Sequence, residues 1–152
     1  MNRPRFLLTE NLNKLARFLR MLGYDAVVYK SISSQKMIDL ASKERRILLT
    51  RSHKTAKSKI HFSRILIKSV MPAKQLQEIA SYLEIEDNYL FTRCLNCNKH
   101  LFEIEKQKIS DLVPDPVFQS FDEFTVCRSC GKIYWKGTHY TDMKKQLAEI
   151  LE

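Results

Sequence analysis

Acidic residues are missing from the middle of this chain: none occurs between Glu44 and Glu78, while Arg45, Arg46, Arg51, Lys54, Lys57, Lys59, Arg64, Lys68 and Lys74 follow one another. Other absences narrow the class further. No apolar run approaches the roughly 20 residues needed to span a bilayer, which excludes a hydrophobic membrane helix. No lipid-anchor motif or aromatic-rich amphipathic helix points to a membrane surface. No secretory signal is visible, so a disulfide-stapled secreted domain is not expected and a cytoplasmic location is. The segment from Met1 to Leu22 is basic and amphipathic, as a transit peptide would be, but it reads better as a strand, Arg5 to Leu8, running into a helix. There is no repeat and no low-complexity tract.

What remains is enough for a folded domain. With 152 residues, 44% of them hydrophobic, the chain can bury a core as one domain or as a domain with a small appendage. Its charge is divided unevenly. Residues 1–77 hold 17 Lys/Arg against 4 acids, and residues 78–152 hold 9 against 13. A basic surface on one half attracts phosphate backbones through counterion release, whatever the base sequence. RNA or another polyanion is therefore the expected partner, with a solvated, solubilising face as the simpler alternative.

All four cysteines fall in two C-x-x-C pairs, Cys94 with Cys97 and Cys127 with Cys130. Two thiolate pairs at this spacing complete a tetrahedral structural zinc site, although the 29 residues between the pairs make a long gap. Asn98 and Gly131 follow the pairs, where a metal knuckle commonly turns through positive φ, a conformation these two residue types accept. Two disulfides would suit a secreted chain. A thioredoxin-like dithiol would open a helix and need no second copy.

The first half alternates apolar strands with helical periodicity. Strands are expected at Arg5 to Leu8, Ala26 to Tyr29, Arg46 to Thr50 and Arg64 to Ile67. Helices are expected through Leu12 to Leu22 (ended by Gly23), over 34–44, over 53–58, and from Pro72 through Leu83. This alternation predicts an α/β fold with a parallel sheet covered on both faces, and ligands then bind beyond the carboxyl ends of the strands. From Arg93 onward, short β-prone pieces lie between the knuckles, with a Pro114/Pro116 loop in the long gap, and a helix over 139–151 closes the chain. The expected organisation is an α/β domain over 1–90 and a zinc ribbon with its terminal helix over 91–152.

Several segments together resemble a known family. They are Phe6-Leu7-Leu8, Leu15-Ala16-Arg17-Phe18-Leu19-Arg20 with Leu22-Gly23-Tyr24-Asp25, and Arg46-Ile47-Leu48-Leu49-Thr50-Arg51. The others are Arg93-Cys94-Leu95-Asn96-Cys97-Asn98 and Cys127-Arg128-Ser129-Cys130-Gly131-Lys132-Ile133-Tyr134-Trp135 with Gly137, His139 and Tyr140. In order and spacing, over nearly the whole chain, the sequence resembles the mut-seven C-terminal ribonuclease family, a PIN-like nuclease fold carrying a zinc ribbon. The resemblance implies a metal-dependent ribonuclease in which carboxylates at the strand ends hold Mg²⁺ or Mn²⁺. The family pattern places those acids where this chain has Thr9, Ser34 (or Ser33) and Ser52, all neutral hydroxyls. Each also precedes a predicted helix and suits an N-cap.

The leading expectation is thus an RNA-binding protein on a ribonuclease scaffold with a degraded metal site and a structural zinc, and with no residue assigned to catalysis. Arg17, Arg20, Arg51 and Lys54 are expected to line the phosphate groove. An active endoribonuclease with relocated acids such as Glu10 and Asp39, using Mg²⁺ or Mn²⁺, is the first alternative. A protein-interaction module acting through the ribbon is the second. Tyr134, Trp135 and Tyr140 either stack on unpaired bases or pack the ribbon against the sheet. His53 and His139 are possible phosphate contacts.

Overall fold

The computed structural model describes residues 2–58 and 62–152. Lys59, part of the basic run above, lies outside the described residues. Four three- to four-residue strands form one sheet: β1 (Phe6–Leu8), β2 (Ala26–Val28), β3 (Ile47–Thr50) and β4 (Arg64–Leu66). Their order is β2-β1-β3-β4, and every neighbouring pair is parallel. Helices α1 (Asn13–Met21), α2 (Ser34–Lys43) and α3 (His53–Ala56) connect successive strands, and α4 (Pro72–Ile79) follows β4. This is the parallel α/β fold expected from the unbroken apolar strands.

The two-residue period of the strands decides which helix covers which face. Phe6, Leu8 and Leu49 join Leu15, Leu19 and Leu22 of α1 and its exit, and Leu76 and Ile79 of α4, in the larger core. Leu7 and Leu48, paired in register, point the other way onto Met37, Ile38 and Ala41 of α2. The chain moves from β1 outward to β2 and then returns past β1 to β3. The connections therefore diverge between β1 and β3, at the edge where Thr9 and Arg51 leave the strands.

Helix α1 ends in a full Schellman motif. The Gly23 amide donates to the Arg20 carbonyl at 3.0 Å, and the Tyr24 amide donates to the Leu19 carbonyl at 2.9 Å. Gly23 has φ +84°, and a Cβ there would stand 2.3 Å from the Tyr89 carbonyl oxygen. Glycine is thus required twice over, by the left-handed turn and by the chain crossing it.

The remaining strands, β5 (Phe102–Ile104), β6 (Phe124–Val126) and β7 (Ile133–Tyr134), form an antiparallel ribbon in the order β5-β6-β7. A short helix, α5 (Asp115–Ser120), occupies the stretch read from its prolines as a loop, with Pro116 in its first turn. The ribbon has a small core of Ile109, Val113, Phe124 and Ile133. Helix α6 (Thr138–Leu151) leaves the ribbon and packs on α4. It buries Leu147 and Ile150 in the larger core, and Gln77 Nε2 donates to the Ile150 carbonyl at 2.9 Å. Among the described residues no helix is long and apolar enough to cross a membrane.

Candidate metal centre and nucleic-acid interface

The two cysteine pairs converge. Their four sulfur atoms all lie within 4.8 Å of one another. A tetrahedral ion with zinc–sulfur bonds of about 2.3 Å separates its sulfurs by about 3.8 Å, and Cys94 Sγ and Cys130 Sγ are 3.8 Å apart. Both knuckles are built alike. The Asn98 amide donates to the Cys94 carbonyl at 2.9 Å, and the Gly131 amide to the Cys127 carbonyl at 2.7 Å. Asn98 (φ +64°) and Gly131 (φ +77°) make the expected left-handed turns. The donor set and its spacing fit a structural metal ion such as zinc.

Tyr134 is part of this centre. Its hydroxyl lies 3.2 Å from Cys94 Sγ and accepts from the Leu95 amide at 3.1 Å. Burial opposes ionisation of Cys94, but hydrogen bonds from the Tyr134 hydroxyl and from the Cys97 and Asn96 amides outweigh it and bring the thiol down to about 6. His100 does not join the sulfurs; its Nε2 lies 3.2 Å from Arg93 Nη2.

The first knuckle is fastened to the sheet at the start of β2. Asn98 Oδ1 accepts from the Ala26 amide at 2.9 Å, and Asn98 Nδ2 donates to Asp25 Oδ1 at 2.7 Å. Asp25 in turn pairs with Arg46 at 2.7 Å, and Arg46 also reaches Glu44 at 2.7 Å. Burial disfavours the Asp25 charge, yet the Arg46 and Asn98 hydrogen bonds and the nearby guanidinium charges prevail and hold its carboxyl below the usual range. The positive φ of Asn98 was legible in the sequence, but the work of its side chain was not, because that depends on the distant α1–β2 turn.

Arg20 belongs to the same joint. It is only 7% exposed, and it donates to the Ala26 carbonyl at 3.0 Å and the Leu95 carbonyl at 2.8 Å. This corrects its expected place in a phosphate groove, since its guanidinium is committed to carbonyl oxygens inside the protein. The reason is topological. Helix α1 follows a parallel strand and runs back across the sheet, carrying Arg17 and Arg20 to the edge where β2 begins. Arg17 stays part-exposed, with Nη1 donating to Asn96 Oδ1 at 3.2 Å. The four expected phosphate ligands are therefore split between two ends of the sheet.

Arg51 and Lys54 lie at the carboxyl edge, beyond β3. Lys54 is exposed, whereas Arg51 is half-buried with its Nε enclosed and without a hydrogen-bond partner among the described residues. Ser52 caps α3, its hydroxyl accepting from the Thr55 amide at 3.3 Å. The cap of α2 is Ser33, not Ser34; Ser33 Oγ accepts from the Lys36 amide at 3.2 Å, and Ser34 is the first helical residue. Thr9 does not cap with its side chain, because its hydroxyl instead donates to Asn11 Oδ1 at 2.5 Å. His53 is exposed in the first turn of α3, and His139 is exposed in the first turn of α6.

A cleft of about 320 Å³ opens beside β1, lined by Thr9, Glu10, Asn11, Tyr29, Ser31, Ile32 and Met37. Glu10 is the one acid in it, and its Oε1 accepts from the Ser31 amide at 2.7 Å. Asp39 lies exposed on α2 and accepts from Gln35 Nε2 at 3.0 Å. Glu78 bonds the amides of Lys68 and Ser69 at 2.8 and 2.6 Å, just past β4. Among the described residues, the four cysteines are the one group of three or more His, Cys, Asp or Glu side chains close enough to share an ion.

Comparison with known proteins agrees with this architecture. A search of curated proteins found no match, and neither did a search of solved structures. The family model described as the Mut7-C RNAse domain matches residues 4–147. That match extends from the first strand past the cysteine knuckles into the last helix, and the chain belongs to the Mut7-C RNAse domain family.

Proposed function

We propose that this chain is a cytoplasmic RNA-binding protein on a ribonuclease scaffold whose divalent-metal site has lost its carboxylates, with structural zinc held by Cys94, Cys97, Cys127 and Cys130. The observation that carries the reading is the chemistry of the carboxyl edge. Magnesium and manganese need hard, anionic oxygen ligands. Thr9, Ser34 and Ser52 stand in the family's acidic positions, and a hydroxyl brings no negative charge. Glu10, the acid nearest the first of them, is bound to the Ser31 amide. Lys30, Lys54, Lys57 and Lys68 are exposed around the same edge. With few acids to oppose them, these cations attract phosphate without a bridging metal.

The test is anisotropy of labelled single-stranded RNA over a salt series, with magnesium withheld rather than chelated so that the zinc stays in place. Binding is expected at roughly micromolar Kd or tighter, unchanged by magnesium and weakening steeply with salt. Arg51→Ala with Lys54→Ala should weaken it and lower the slope of log K against log salt by about 1.4, at roughly 0.7 per phosphate contact on a single strand. Undetectable or salt-insensitive binding defeats the reading. Manganese-dependent cleavage that disappears in Glu10→Gln would replace it with the endoribonuclease alternative. Protein partners that survive nuclease and high salt, without RNA binding, would replace it with the interaction module.

A further inference from the structure

We propose that the groove between the ribbon and helices α1 and α6 is a second RNA-contact surface, one that receives unpaired bases. The inference rests on the RNA-binding reading but concerns a different place, far from the carboxyl edge. The groove has a volume of about 900 Å³, at the upper end of the roughly 300–1,000 Å³ of ligand pockets. Six Phe, Tyr or Trp residues line it; Phe124 is buried and Tyr134 is engaged at the first knuckle, which leaves Phe91, Phe121, Trp135 and Tyr140. Phe91 and Tyr140 already lie ring to ring at 4.5 Å. The indole of Trp135 lies over the bare backbone of Gly137, where a Cβ would come within 2.8 Å of Nε1. Tyr134 is excluded from the role because its hydroxyl is engaged at Cys94 and Leu95.

Charge favours a strand whose phosphates follow the helical wall. Arg17 and Lys136 line the groove from α1 and from the approach to α6. The first turn of α6, which no side chain caps, opens on the same space. Glu103, Asp122 and Glu123 line the opposite, ribbon wall together with Lys132, and Asp122 is paired with Lys106 at 3.1 Å. Rings on both sides, with the lining acids confined to the ribbon wall, fit bases turned inward and phosphates turned toward the helices. A duplex cannot present its bases this way, whereas a single strand can.

Trp135 is the only tryptophan in the chain, so intrinsic fluorescence reports from this groove. The zinc-loaded full chain is titrated with a labelled uridine oligonucleotide, following anisotropy and tryptophan emission together. An RNA duplex and poly-glutamate serve as comparisons. The emission change is expected to saturate at the same RNA concentration as anisotropy and to be weaker with duplex. Tyr140→Leu should lower affinity by roughly 5- to 100-fold, the range for losing one stacked base. Arg17→Ala with Lys136→Ala, both at accessible positions, should also lower affinity and keeps the test available if the tyrosine variant does not fold. Anisotropy that saturates without an emission change, and with unaltered affinity in the groove variants, overturns the groove and leaves the RNA reading standing. No anisotropy change defeats the RNA reading itself. An equal emission response to poly-glutamate overturns base recognition.

Discussion

Replacing Asn98 by glycine isolates the joint between knuckle and sheet, because glycine keeps the backbone at φ +64° while removing both side-chain hydrogen bonds. The two losses differ in cost. Asp25 retains Arg46 at 2.7 Å, so its carboxylate stays partnered when Asn98 Nδ2 is gone. The Ala26 amide faces away from β1 on the edge strand β2 and donates to Asn98 Oδ1 at 2.9 Å. Leaving an enclosed donor unsatisfied costs about 1–3 kcal/mol, and that contribution decides the total. For a chain of this size the corresponding fall in Tm is about 2–12 °C. Asn98→Ala should lose roughly 1 kcal/mol more, since alanine resists the left-handed turn. The assay is denaturant unfolding of the zinc-saturated protein, followed by far-UV circular dichroism and by Trp135 emission. If Asn98→Gly unfolds within about 0.5 kcal/mol of the parent, the side chain fastens nothing and the account of the joint is wrong.

Removing the metal proposed for the knuckles should unfold the ribbon before the sheet, because the ribbon's own core is small, with Ile109, Val113, Phe124 and Ile133 as its buried residues; four thiols should become reactive to a thiol reagent as ribbon circular dichroism is lost. Protons provide a second lever, through Asp25. Its carboxyl is held below the ordinary value of about 3.9, so the stability it contributes is fully present above that value and is lost as pH falls through the folded-state value. Acid titration of the parent should show this loss, and Asp25→Asn should flatten it while lowering stability at neutral pH.

Much of the frame was legible because its signals are local. Apolar strands of three or four residues, Gly23 at the end of α1, and the pairing of each C-x-x-C with a turn-forming residue depend on neighbours within a few positions. Ser52 was readable as a cap for the same reason. The cap at Ser33 rather than Ser34 shows how far such local reading carries, one residue being within its ordinary error. What escaped was set by distant chain. Arg20 lies opposite the apolar stripe of α1 and so reads as a surface charge, until the first knuckle covers it and supplies the Leu95 carbonyl. The role of Asp25 depends on Arg46 and Asn98, which converge on it from 21 and 73 residues away. Asn11 captured the Thr9 hydroxyl in a local competition that helix-start patterns do not reveal.

Helix α6 sets the order in which the molecule can be completed. Leu147 and Ile150 belong to the same apolar interior as Phe6 and Leu15, so that interior stays open while the ribosome is still making the ribbon. A nascent chain halted before the last helix would carry a sticky α4 face into the crowded cell. Both knuckles are therefore synthesised before the residues that close the sheet domain's interior.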